Sequence, residues 1–146
     1  MSKVGQNEKQ YLSKEDFCER CNLDSEKSIV LYAPQGIMTG DDEIYIQELL
    51  EDGSFLEKYS LIIRPHFTDI IEKRYDVFKS VTGIYIDDQN LRITGMFPDK
   101  WDPTEENTQW QAEVIHAADV VVCFMSTMVM DAHILDTPVV IVKYEP

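Results

Sequence analysis

Asp119-Val120-Val121-Val122-Cys123-Phe124-Met125-Ser126-Thr127 is the stretch on which the reading of this 146-residue chain turns. Six apolar residues follow an aspartate, three of them valine, and Asp119 to Phe124 is the most strongly strand-like segment of the chain. Ser126 and Thr127 then open a helical pattern that continues to Leu135. A buried strand that turns straight into a helix is the unit from which parallel sheets are built.

The same unit recurs in both directions from this stretch. Upstream lies a helix from Glu105 to Ala118, and downstream Pro138 to Val142 gives a last strand. Ser28 to Ala33 is a strand stopped by Pro34, and Tyr59 to Arg64 is another, closed by Pro65. Val81 to Ile86 supplies one more. Between them, Glu43 onward suits a helix with Ile44, Ile46, Leu49 and Leu50 on one face, and Thr68 to Phe78 suits a second. Ser13, with an acid three residues on, caps an N-terminal helix that runs to about Cys21. Asp87 to Thr104 is irregular, broken by Gly95, Pro98 and Pro103. The expected fold class is therefore α/β: a Rossmann-like parallel sheet with helices on both faces and right-handed crossovers. Residues 1–12 read as a flexible lead-in and 13–146 as one domain. With the last strand almost at the end of the sequence, that domain reads as part of a longer protein.

Composition narrows the function classes. The formal net charge of -14, without any basic stripe, excludes nucleic acid and anionic membrane surfaces as partners. It does not exclude one bound phosphate, which backbone N–H groups at a helix start can hold without lysines. No apolar run reaches the roughly 20 residues of a transmembrane helix, and Met1 to Gln10 lacks the apolar core of a secretory signal. Three cysteines, an odd number, suggest reduced thiols and a cytoplasmic location. Cys18 and Cys21 have CxxC spacing but fall inside a helix with no second ligand pair, so they read as small buried residues rather than a zinc or redox site.

Ligands of open α/β sheets bind beyond the C-terminal ends of the strands, which selects the candidate residues. After the strand that ends at Phe124, Ser126 and Thr127 with the first N–H groups of the helix can hold a phosphate, and Asp131 can accept hydrogen bonds from sugar hydroxyls. The same serine and threonine also suit a plain helix cap. Arg64 and His66, at the end of the strand Tyr59 to Arg64, can meet a phosphate or move a proton, and His66 can equally cap the next helix. Gly36 and Gly40 lie in the loop after Ala33, where a glycine permits close backbone approach. That loop matches neither GxGxxG nor a P-loop. Asp41 and Asp42 suit a helix start, and no metal site is expected. His116 and His133 read as structural.

Taken in order, these segments resemble a known family. Ala118 to Ala132, followed by Asp136-Thr137-Pro138-Val139-Val140, is similar to the "AD-strand-S-[ST]-xxxDA" segment of GT-B-type transferases, near the CDP-glycerol glycerophosphotransferase-like and surface-polysaccharide transferases. Ile29 to Pro34 resembles the "ILYAP" strand that opens their C-terminal domain, and Arg64-Pro65-His66 resembles their "RPH" strand end. The resemblance implies the C-terminal, donor-binding half of a GT-B fold, holding the diphosphate of a nucleotide-activated sugar or polyol. It puts His66 on phosphate, as the catalytic candidate, Ser126 and Thr127 on the diphosphate and Asp131 near the ribose or sugar; with Arg64 and Gly36, chosen by position, these form the expected substrate-binding set. It implies neither cofactor nor metal. Gln35 and Gly36 stand where the glycerophosphotransferases usually carry threonine and arginine, which favours a nucleotide sugar over CDP-glycerol. The acceptor-binding N-terminal domain would be the missing partner, so this domain alone is expected to be inactive. The competing classes are a flavodoxin-like or other non-catalytic Rossmann-like binding module and part of a nucleotide-sugar epimerase. An uncovered sheet edge also makes a homo-oligomer possible on this reading.

Overall fold

A computed structural model describes residues 10–36, 42–88, 104–124 and 126–142. Its elements run α1 (Lys14–Cys21), β1 (Ser28–Ala33), α2 (Asp42–Leu50), α3 (Ser54–Lys58), β2 (Tyr59–Ile63), α4 (Phe67–Ile71), a 3-10 turn (Asp76–Phe78), β3 (Ile84–Ile86), α5 (Glu105–Ala117), β4 (Val120–Cys123), α6 (Met128–Ile134) and β5 (Val139–Ile141). The five strands form one sheet in the order β3-β2-β1-β4-β5, with every neighbouring pair parallel. This is the expected Rossmann-like sheet. The order reverses between β1 and β4, because the chain first winds outward through β2 and β3 and then returns to the other side of β1.

The register explains why the strands read as continuous apolar runs. Leu31 pairs with Ile62 and Val121, and Val121 with Val139, so these residues share one face. That face packs on Phe17, Cys18 and Cys21 of α1, Trp110, Val114 and Ile115 of α5, and Ala132 of α6. On the opposite face Leu61, Ile63, Ile84 and Ile86 meet Ile46 of α2 with Tyr75 and Phe78. Both faces of the central strands are therefore covered, and period-2 alternation has no reason to appear. Toward β5 the covering thins: Val140 and Ile141 are about half exposed, at 51% and 48%.

Three expectations need correction. Of the apolar residues of α2 only Ile46 is buried, with Leu50 packed at the core's rim, while Ile44 and Leu49 are 47% and 44% exposed. Residues 46 and 50 are one helical turn apart and face the sheet; 44 and 49 fall off that stripe. The helix expected over Thr68 to Phe78 stops at Ile71, because Lys73 takes a left-handed backbone, φ 54°, and turns Arg74 inward to the carboxylates of Asp69 and Glu43. The strand expected from Val81 begins only at Ile84, since Gly83, at φ 93°, still belongs to the turn. The CxxC pair behaves as read: both thiols are buried and free within or at the end of α1, and burial pushes Cys21 up to about 12. A thiol held that far from ionisation is inert packing material.

The two readings of helix and strand faces differ in their energetic consequence. Leu31→Ala, which opens a cavity in a fully buried strand position, is expected to lower stability by about 2–5 kcal/mol. Leu49→Ala, on the outer face of α2, is expected to change it by no more than about 0.5 kcal/mol. Urea unfolding of the two variants checks the assignment, and equal losses would contradict it.

Candidate functional site

All the residues selected from the sequence lie just beyond the C-terminal ends of the strands. Gly36 follows β1, Arg64 and His66 follow β2, and Ser126, Thr127 and Asp131 follow β4. Because β1 sits between β2 and β4, these three loops are neighbours in space although they are far apart in sequence. Such a switch point is where open α/β sheets form a binding crevice.

Gly36 and His66 meet directly. Gly36 has φ 109°, and a Cβ placed on it would lie 2.8 Å from Thr68 Oγ1 and 2.9 Å from His66 Nδ1. The loop after β1 thus approaches the loop after β2 so closely that only glycine fits, for both conformational and steric reasons. His66 is the N-cap of α4: its Nδ1 accepts from the Thr68 N–H at 3.4 Å and shares a 2.9 Å hydrogen bond with Thr68 Oγ1. The Asp69 carboxylate returns to accept from the His66 N–H at 3.1 Å, closing a capping box. Desolvation under the loop holds the imidazole below its ordinary value of 6.5, against the opposing pull of Asp69. A neutral ring is what an accepting Nδ1 requires.

Arg64, expected to meet a phosphate, is engaged by other residues of the chain. Its guanidinium is nearly buried and ion-pairs through Nη1 with Asp87, whose side chain is only 2% exposed. Its Nη2 donates to Gln111 Oε1 at 3.2 Å. Asp87 also accepts from the indole N–H of Trp110 at 2.8 Å, while the Trp110 ring stacks on Phe17 and carries the Arg20 guanidinium 4.2 Å above it. Asp87, Trp110 and Gln111 were not singled out in the sequence. Asp87 was the most accessible of them, as it directly follows β3, and the strand-end rule points at it as it does at Arg64.

The β4–α6 turn is compact. Ser126 Oγ accepts from the Met128 N–H at 3.3 Å, and the N–H groups of Val129 and Met130 go to the carbonyls of Ser126 and Thr127. The expectation of open N–H groups throughout the first helical turn is therefore corrected: several are already engaged within the turn, as short helices tighten with 3-10-type bonds. Thr127 makes no side-chain cap bond, and both hydroxyl residues are exposed. Asp131 lies in the first turn of α6, where its carboxylate accepts from Gln111 Nε2 at 2.9 Å. Asp42 is buried as the first residue of α2, whereas Gly40 and Asp41 lie outside the described residues. His116, in α5, stacks on Tyr11 at 4.0 Å, and His133 is exposed on α6. Among the described residues no group of three or more histidines, cysteines or carboxylates is placed to hold a metal ion. Nor is any described helix long and apolar enough to cross a membrane.

No protein-family model matches the chain, and no curated protein matches it by sequence. Solved structures do match. The wall teichoic acid polymerase TagF superimposes on 92% of the chain with a TM-score of 0.53 at 20% identity, and the chain spans 28% of that protein. The E. coli ADP-heptose LPS heptosyltransferase II superimposes on 90% with a TM-score of 0.51 at 14% identity, the chain spanning 38% of it. Both are GT-B glycosyltransferases, so the chain has a GT-B-like Rossmann fold. It spans well under half the length of either.

The contact between the β1 and β2 loops is testable without any ligand. Gly36→Ala must both strain a left-handed backbone and displace His66 and Thr68, and a loss of about 1–3 kcal/mol is expected. Thermal and urea unfolding measure it. Unchanged stability would mean that the loop does not hold this close approach.

Proposed function

We propose that this chain is the donor-binding domain of a GT-B-type glycosyltransferase and binds a nucleoside diphosphate linked to a sugar or polyol. One observation carries the reading: the sheet order gathers Gly36, His66, Ser126, Thr127 and Asp131 around the switch point between β1 and β4. The fold likeness supports it, since a CDP-glycerol glycerophosphotransferase and an ADP-heptose heptosyltransferase share a nucleoside diphosphate carrying a hydroxyl-rich group. Fold alone does not fix function, so the argument rests on the site. Ser126 and Thr127 offer hydroxyls for the diphosphate, and exposed His66, held by its capping box, offers the opposite wall of the crevice.

In this reading His66 works through Nε2, because Nδ1 is engaged with Thr68. Its depressed basicity keeps it neutral near pH 7, so it donates one hydrogen bond to a phosphate oxygen rather than a full charge. Among the described residues at this edge, the positive charge of Arg64 is already paired with Asp87. Charge stabilisation in a complete enzyme would then need groups from the acceptor domain, and this domain alone would bind weakly and not turn over. A cytoplasmic location fits the three free cysteines.

Backbone-amide NMR titration with UDP, CDP, GDP and their sugar conjugates tests the proposal. Shifts are expected at Gly36, His66, Ser126 and Thr127, with a preferred base, and they should vanish in Ser126→Ala. No shifts up to about 10 mM ligand, where binding would be weaker than about 3 kcal/mol, would contradict donor binding by this chain.

A further inference from the structure

A relay of hydrogen bonds crosses the ligand edge of the sheet from β3 to α6. Asp87 holds Arg64, Arg64 donates to Gln111 Oε1, and Gln111 Nε2 donates to Asp131 Oδ2 at 2.9 Å. Each end fixes the orientation of the amide between them. A guanidinium can only donate and a carboxylate can only accept, so Gln111 has one satisfied rotamer and its flipped form has none. Asp87 is in turn immobilised by Trp110 Nε1 at 2.8 Å in the core. A partly exposed carboxylate on a short helix would ordinarily sample several positions; this one is held by a side chain that is itself held from the core.

Gln111 and Asp131 also line a cleft of about 260 Å³ between α5 and α6. Thr108 stands beside them, and Ala112, Ile115 and Leu135 supply apolar lining. Thr108 donates its hydroxyl hydrogen to the Thr104 carbonyl, which leaves its oxygen as an acceptor. A wall of carboxylate, amide and hydroxyl beside an aliphatic one matches a sugar or polyol, which presents hydroxyls along its edge and C–H groups on its face. The volume suits one such group and is small for a whole nucleotide.

We infer that the cleft between α5 and α6 takes the hydroxyl-bearing group of the donor, and that Gln111 is the positioning residue that holds Asp131 to read it. This rests on the donor-binding proposal and adds to it a pocket and a residue for the transferred group. Asp131 accepts hydroxyl hydrogens with the oxygen lone pairs that Gln111 does not occupy, and Gln111 sets where those lone pairs lie.

Gln111→Glu separates this role from a structural one. The new carboxylate still accepts from Arg64, so the core relay survives, but it faces Asp131 with an acceptor where a donor stood. Titrations with a nucleoside diphosphate and with its sugar or polyol conjugate are compared for the wild-type chain and the variant. The conjugate should bind about tenfold more weakly to the variant, as expected for losing an oriented charged hydrogen bond, while the plain diphosphate changes by less than about twofold. The lost affinity should return as pH falls from about 8 to 5, because a proton shared by the two facing carboxyls restores the missing donor. Asp131→Asn, with no like charge to accommodate, should show the same selective loss without the pH recovery. Equal losses for both ligands, or a conjugate bound as tightly as before, would overturn the inference. A wild-type chain that binds neither ligand would instead overturn the donor-binding proposal beneath it.

Discussion

The C-terminal edge of the sheet depends on one buried ion pair. Arg64 at the end of β2 and Asp87 at the end of β3 are both withdrawn from water, and neither could remain there without the other. Removing two charges from solvent is costly, and the pair persists because its remaining valences are also filled. Asp87 takes the Trp110 N–H, and Arg64 takes the Gln111 carbonyl oxygen. The pair therefore ties two adjacent strand ends to α5, and through Gln111 to Asp131 on α6. A similar arrangement stands on the other face, where Arg74 joins Asp69, itself bonded to the His66 N–H, to Glu43 of α2. In a chain with a net charge of -14, both of these arginines are paired with carboxylates inside the frame.

That use of arginine bears on what the crevice can do. Among the described residues singled out on the rim, the others are neutral or acidic: the imidazole of His66, the hydroxyls of Ser126 and Thr127, and Asp131. Neutral donors with a single aligned carboxylate suit recognition of hydroxyl-rich groups more than tight capture of a free polyanion. The chain superimposes on less than half of each solved structure it resembles.

Much of this was legible in the sequence, for identifiable reasons. The strands announced themselves because both faces of β1 and β2 are covered, which leaves unbroken runs such as Ile29 to Ala33. That Ser126 and Arg64 lie at one edge was legible because loops after parallel strands must gather there. The burial of Cys18 and Cys21 followed from their helix. What escaped was whatever depended on partners remote in sequence. The partner of Arg64 was missed because Asp87 lies 23 residues on, beyond the next strand. The break at Lys73 was invisible because a lysine carries no sign of a left-handed backbone, and it is Arg74's two carboxylates that hold the turn. Gln111 lay in the middle of a helix with nothing local to mark it.

The central claim is that the switch point between β1 and β4 is the ligand site. A crystal structure of the chain saturated with a nucleoside diphosphate sugar tests it most directly. The account predicts the diphosphate between the Gly36–His66 contact and the Ser126–Thr127 turn, with the sugar directed toward Gln111 and Asp131. A nucleotide seated elsewhere, with that turn empty, would contradict it.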